Sequence, residues 1–179
     1  MNNKKGNFYA TVSVLGTVLL VICFVVMFVM GGAIFKDTMG TLFTEVRGIG
    51  NITENVNVTS LANHVFNPVE TIMNNYALYA SMLYIFGIIL IFTLAFIFRD
   101  NVNLLTVSLF FVAAILIVLF AIILSNTYEE FYNGTDFMGT ELRDATTASY
   151  LILYCPTILS IVIFLAGIIL FSGKEGGNP

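Results

Sequence analysis

Four long apolar runs divide this chain, and between them lie polar segments of unequal length. The runs are 8–35, 76–98, 104–125 and 149–171. The first contains no charged residue at all, and no Asp, Glu, Lys, Arg or His falls inside the others. Each reaches or exceeds the roughly 20 residues that a helix needs to cross about 30 Å of hydrocarbon. Lipid offers the backbone no hydrogen-bond partner, so each run is predicted to be helical. None alternates at period two, which argues against a β-barrel. The expected fold class is all-α: a single integral membrane domain over 1–179, built as a four-helix bundle.

The segments between the runs set the rest of the layout. Loops 36–75 and 126–148 fall on one side of the expected membrane, and the short 99–103 turn and both termini on the other. After Phe35 the apolar residues Met39, Leu42, Phe43 and Val46 keep to one helical face, so helix one is expected to project beyond the membrane until Gly48 and Gly50 end it. Asn67-Pro68-Val69-Glu70 reads as the start of the returning helix, with an N-cap, a proline at N1 and an acid at N3. That leaves a polar tip at about 48–66. In the second loop, Tyr128, Phe131 and Tyr132 extend helix three, Asn133-Gly134 is a turn signal, and Phe137, Leu142 and Ala145 lead inward. The tail 172–179 is Gly-rich and is expected to be disordered.

Composition agrees with this picture. The chain is 58% hydrophobic and 10% charged, against about 25% charge in a typical soluble domain. The side with both termini carries four basic and two acidic residues, a net +2, and the loop side three basic and nine acidic, a net −6. The basic excess places the termini in the cytoplasm and loops 36–75 and 126–148 outside it. All three N-x-[ST] sequons, at Asn51, Asn57 and Asn133, fall on that outer side, so a glycosylating host would find its acceptors there. The first run is about twice the length of a signal core and is read as an uncleaved span.

Candidate chemistry is sparse. Cys23 and Cys155 differ by about 9 Å in expected depth, too far for a disulfide, and are read as free thiols packed as small hydrophobes. His64 is the only histidine, no cysteine is near it, and no metal site is expected. Glu129, Glu130 and Asp136 are read as a solvated acidic surface. The hydroxyls in the runs (Thr11, Ser13, Thr17, Ser81, Thr93, Thr106, Ser108, Thr157 and Ser160) are expected to bond back to their own helices or to bridge between them. Pro156 is expected to kink helix four. Ala77, Ser81, Gly87 and Gly167, with Gly31 and Gly32, mark close helix approach. Tyr9, Tyr76, Tyr79, Tyr128, Tyr132 and Tyr150 are read as interfacial anchors.

No phosphate loop, catalytic triad or cofactor motif is present, and seven basic residues exclude a nucleic-acid surface. The layout also differs from tetraspanins, because the first outer loop is the longer one and Cys-Cys-Gly is absent. It differs from claudins, because that loop has neither tryptophan nor a cysteine pair. The expected function is a non-enzymatic, structural or interaction subunit of a membrane assembly. Its expected partners are lipid and other transmembrane helices, or copies of itself, with no cofactor and no small-molecule substrate. A homo-oligomeric pore lined by hydroxyls, or a virus- or phage-encoded membrane component, are the alternatives.

Overall fold

The computed structural model describes residues 3–49, 51–53, 56–99 and 104–172. Seven helices and one short hairpin appear among them: α1 (Asn3–Gly48), β1 (Asn51–Thr53), β2 (Val56–Asn57), α2 (Val58–Asn74), α3 (Tyr76–Ile97), α4 (Leu104–Tyr132), α5 (Phe137–Asp144), α6 (Thr146–Leu153) and α7 (Cys155–Phe171). Three helices are long and apolar enough to cross a membrane, and α6 with α7 makes a fourth if that bent pair counts as one span. These lengths support a multi-pass membrane protein. The 99–103 turn lies outside the described residues except for Arg99, as does the tail beyond Ser172.

Helix α1 is the longest element. Its 46 residues span about 69 Å at ~1.5 Å per residue. It packs on α2, α3, α4 and α5; its apolar part meets α3 at Val21 and Gly32, and Lys36 and Arg47 pair with α5 and α2. Val14, Val18, Val25, Val29 and Ala33 lie along the buried stripe, while Leu20, Met27 and Phe28 face away. The i, i+4, i+7 spacing of the buried set is the ordinary footprint of a helix with one covered face.

Two glycines set how closely the helices approach. A Cβ added at Gly87 of α3 would collide with both methyls of Val21 on α1. A Cβ added at Gly32 of α1 would sit 2.5 Å from Cδ2 of Tyr76. Gly31, its neighbour, has nothing within 4 Å. Only one of the adjacent pair therefore permits a close approach within the chain.

The return from α1 differs from the sequence expectation. Helix α2 does not begin at Asn67 but at Val58, so Pro68 lies inside it. The cause is visible in the side chains. Asn67 Oδ1 and Glu70 Oε1, expected to cap a helix start, instead accept from the Arg47 guanidinium at 2.9 and 2.6 Å. The Phe43 and Phe66 rings stack at 4.2 Å, and Ala62 and Met73 are buried. Packing against α1 thus carries the helix through a proline that local preference would have placed at its first turn. The tip shortens to an antiparallel hairpin in which Asn51 pairs with Asn57.

The fourth apolar run is divided. α6 and α7 meet at Tyr154 with a bend of 64°, and Pro156 stands in the first turn of α7. Proline has no amide hydrogen to continue the ladder. Ser125 of α4 donates to the Leu153 carbonyl at 2.7 Å, so a neighbouring helix satisfies one acceptor at the break.

Candidate functional site

The polar groups gather where the two long loops enter the helices. The last turns of α1 form one wall of a cleft of about 610 Å³, and Glu70, Met73 and Asn74 of α2 with Glu141 of α5 form the other. Lys36, Asp37, Gly40, Thr41, Thr44 and Glu45 line the α1 side, at the i, i+1, i+4, i+5, i+8, i+9 spacing of one helical face. The threonines do not point free hydroxyls into the cleft. Thr41 and Thr44 donate to the carbonyls of Asp37 and Gly40.

Two ion pairs close the elements together. Lys36 Nζ meets Glu141 Oε2 at 2.5 Å, joining α1 to α5 across 105 residues of sequence. Arg47 meets Glu70 at 2.6 Å, joining the end of α1 to α2. The hydrogen bond that the Arg47 guanidinium donates to Glu70 holds it above its ordinary value. Tyr76 adds a third tie, its hydroxyl donating to the Glu141 carbonyl at 3.1 Å. α5 itself is fixed at its start by Asp136, which caps the Gly139 amide at 3.0 Å. The turn before it is held by Arg143, which donates to the carbonyls of Tyr132 and Gly134 at 2.8 Å each.

A second set of polar groups is buried below the cleft. Ser149 Oγ donates to the Leu142 carbonyl at 2.6 Å and lies 2.8 Å from the Tyr128 hydroxyl. Serine has one hydroxyl hydrogen, so Tyr128 is the donor in the second bond. Cys155 Sγ donates to the Ala121 carbonyl at 3.7 Å. The Tyr84 hydroxyl has no hydrogen-bond partner although the residue is only 2% exposed. Tyr76, Tyr84 and Tyr128 are all buried, so Tyr76 and Tyr128 face the interior, which corrects their reading as anchors at a membrane surface. Tyr9, Tyr79 and Tyr150 are exposed.

The residues singled out in the sequence are not brought together into one site. Asn51 and Asn57 stand in the hairpin strands, and Asn133 is exposed in the turn after α4. Ala77 and Ser81 make one local bond, Ser81 Oγ to the Ala77 carbonyl at 2.8 Å. Thr17, Thr93 and Ser160 bond back to their own helices in the same way. Gly167 of α7 seats the Phe110 ring of α4, whose edge meets the Phe171 ring at 5.1 Å. Both cysteines are free, and no group of three His, Cys, Asp or Glu that could hold a metal occurs among the described residues. His64 is exposed on α2. Of the residues that tie the loop end together, spacing marks Glu70 as a helix-start acid and Tyr76 reads as an interfacial anchor, but Lys36, Arg47 and Glu141 are not singled out. The only signal was that Lys36 and Arg47 are two of three basic residues among nine acidic ones on that side.

Beside the helices, Phe110, Ala114, Val118, Ile163, Gly167 and Phe171 line an apolar groove of about 490 Å³ between α4 and α7. No protein-family model matches the chain, and no curated protein and no solved structure matches it.

Proposed function

We propose that this protein is a non-enzymatic, multi-pass membrane subunit: a four-helix bundle whose apolar flank packs against transmembrane helices of partner chains or of further copies. In this reading the termini are cytoplasmic, and the cross-linked loop end stands outside the membrane as a rigid crown. The observation that carries it is α4. Only 17% of its most apolar stretch is buried within the chain, against 39% for α1 and 33% for α3. Its exposed face presents Phe111, Val112, Ile115, Leu116, Leu119 and Ile123, and the α4–α7 groove runs beside it. Grooves next to small residues are where transmembrane helices approach closely. The ion-paired loop end supports the same reading, because it fixes the helices at the end where a partner's extramembrane part would meet them.

Extraction in mild detergent, native mass determination and identification of co-migrating chains test this. A defined set of other chains, or a closed homo-oligomer whose contact face is α4, is the expected outcome. A monomer surrounded by lipid alone overturns it.

A further inference from the structure

The apolar arc of α2 is wider than its own chain covers. At about 100° per residue, Ala62, Phe66 and Met73 fill one half of the arc and Val65, Val69 and Ile72 the adjoining half. The first half is turned inward. Ala62 and Met73 are buried, and the Phe66 ring stacks on Phe43 of α1 at 4.2 Å. The second half is bare: Val65 is 54% exposed and Ile72 59%, with Val69 exposed between them. Single exposed apolar residues are ordinary on any surface. Three at i, i+4 and i+7 form the kind of stripe by which one helix docks on another.

Lipid does not cover this stripe. Tyr76, where the second apolar run begins, packs beside Gly32 of α1. Ile72, Val69 and Val65 lie about 6, 10 and 16 Å further along the helix at ~1.5 Å per residue. Headgroups extend only about 5–8 Å past the hydrocarbon, so Val69 and Val65 stand clear of the bilayer. The stripe nevertheless runs on into the span. Asn75 joins α2 to α3 without a loop, its amide donating to the Ile72 carbonyl at 3.2 Å and its carbonyl accepting from the Tyr79 amide at 3.1 Å. The seven-residue step from Val65 to Ile72 continues to Tyr79 and Phe86, both exposed. Such a step is the seam of a left-handed pair of helices.

Charge decides what covers it. The loop side carries nine acidic residues, of which α2 contributes only Glu70, and Glu70 is paired with Arg47 of α1. The stripe is therefore the neutral, apolar face of an acidic end. A basic partner would seek the acids, whereas two acidic ends of the same kind approach best where neither presents charge. The occupant must also carry an apolar helix at the same height beyond the bilayer, and a second copy does so by construction. Two copies inserted alike are related by an axis along the membrane normal, which sets each stripe residue against its own counterpart. We infer that a second copy of this chain docks on the α2 stripe, Val65 against Val65 and Ile72 against Ile72, with the α3 seam continuing the contact into the membrane. The α4 flank is a different face, so this pairing goes beyond the proposed subunit role and stands or falls separately from it.

The test uses the full-length protein in native membranes, with one cysteine introduced at a time. Ile72→Cys and Val65→Cys probe the stripe, and Thr71→Cys, exposed on the polar side of α2, is the control. After mild oxidation, Ile72→Cys and Val65→Cys are expected to run at twice the chain mass, and Thr71→Cys and wild type at the mass of one chain. The double variant Val65→Lys, Ile72→Cys sets like charges face to face at an exposed position, where the fold tolerates them, and is expected to lose the product. No product at 65 and 72 overturns the pairing, as does equal product at 71 or a covalent product with a different chain. A product that persists in the double variant reports random collision and overturns it too. None of these outcomes bears on α4, whose contact is read from the native mass.

Discussion

At the residue scale, contacts with stiff or paired neighbours are the ones that resist substitution. Val21 is β-branched and buried, so it has few rotamers with which to yield to a new methyl at Gly87. Gly87→Ala is expected to destabilise by about 1–3 kcal/mol through overpacking. Gly16→Ala, with nothing within 4 Å, is expected to be neutral or stabilising by up to about 1 kcal/mol from helix propensity. Unfolding midpoints of the two variants in detergent check this, and equal effects would refute the claimed close approach of α1 and α3. The Tyr128–Ser149–Leu142 relay gives a second ordered pair. Tyr128→Phe removes one donor and leaves Ser149 bonded to Leu142, a loss of about 1 kcal/mol. Ser149→Ala strands both the Tyr128 hydroxyl and the Leu142 carbonyl, so it is expected to cost roughly twice that. The reverse order would mean that Tyr128 does not donate to Ser149.

At the element scale, the four apolar runs were legible because hydropathy and length report burial in any apolar medium. Where helices stop and turn was less so. The 64° bend between α6 and α7 lies at a proline that sequence reading could name, but the bond that Ser125 of α4 donates to the Leu153 carbonyl at the break could not be read from spacing. Pro156→Ala restores an amide at the break. It is expected to straighten the pair, which shows as a longer spin-label distance between residues 147 and 170. Pro68 taught the opposite lesson. The signature at 67–70 has the right residues for a helix start, yet Arg47, twenty residues upstream, takes both Asn67 and Glu70. Arg47→Ala is therefore expected to free these side chains and to loosen α2, seen as faster amide exchange between residues 58 and 74. Because the guanidinium's value is raised in the fold, its contribution is present below the ordinary arginine range and is lost only in strong alkali. Salt is the practical lever. Raising it from 0.1 to 1 M shortens the Debye length from about 10 to 3 Å, and wild-type α2 should move toward the exchange rate of the variant.

At the scale of the whole molecule, the loop end and the apolar flank pose different demands. The tie from Lys36 to Glu141 spans 105 residues, and no periodicity in a single chain marks two such residues as neighbours, so the cleft was invisible until the helices were assembled. The tyrosines show why orientation around a helix is equally hidden: a ring with one polar end suits a lipid interface or a hydrogen-bonded interior. What sequence does carry at this scale is charge. A net +2 on the terminal side faces a net −6 on the loop side, and the proposed topology rests on that difference because basic residues are retained in the cytoplasm. Membrane-impermeant thiol labelling tests it. Cys155 is buried and Cys23 half-buried, so neither is expected to react, and a cysteine introduced at exposed Thr135 should label from outside intact cells. One introduced at exposed Ser172 should label only after permeabilisation. The opposite pattern would put the acidic loop end in the cytoplasm. The three sequons would then be out of reach of a glycosylating lumen, while the packing of α4 against partner helices would stand unchanged.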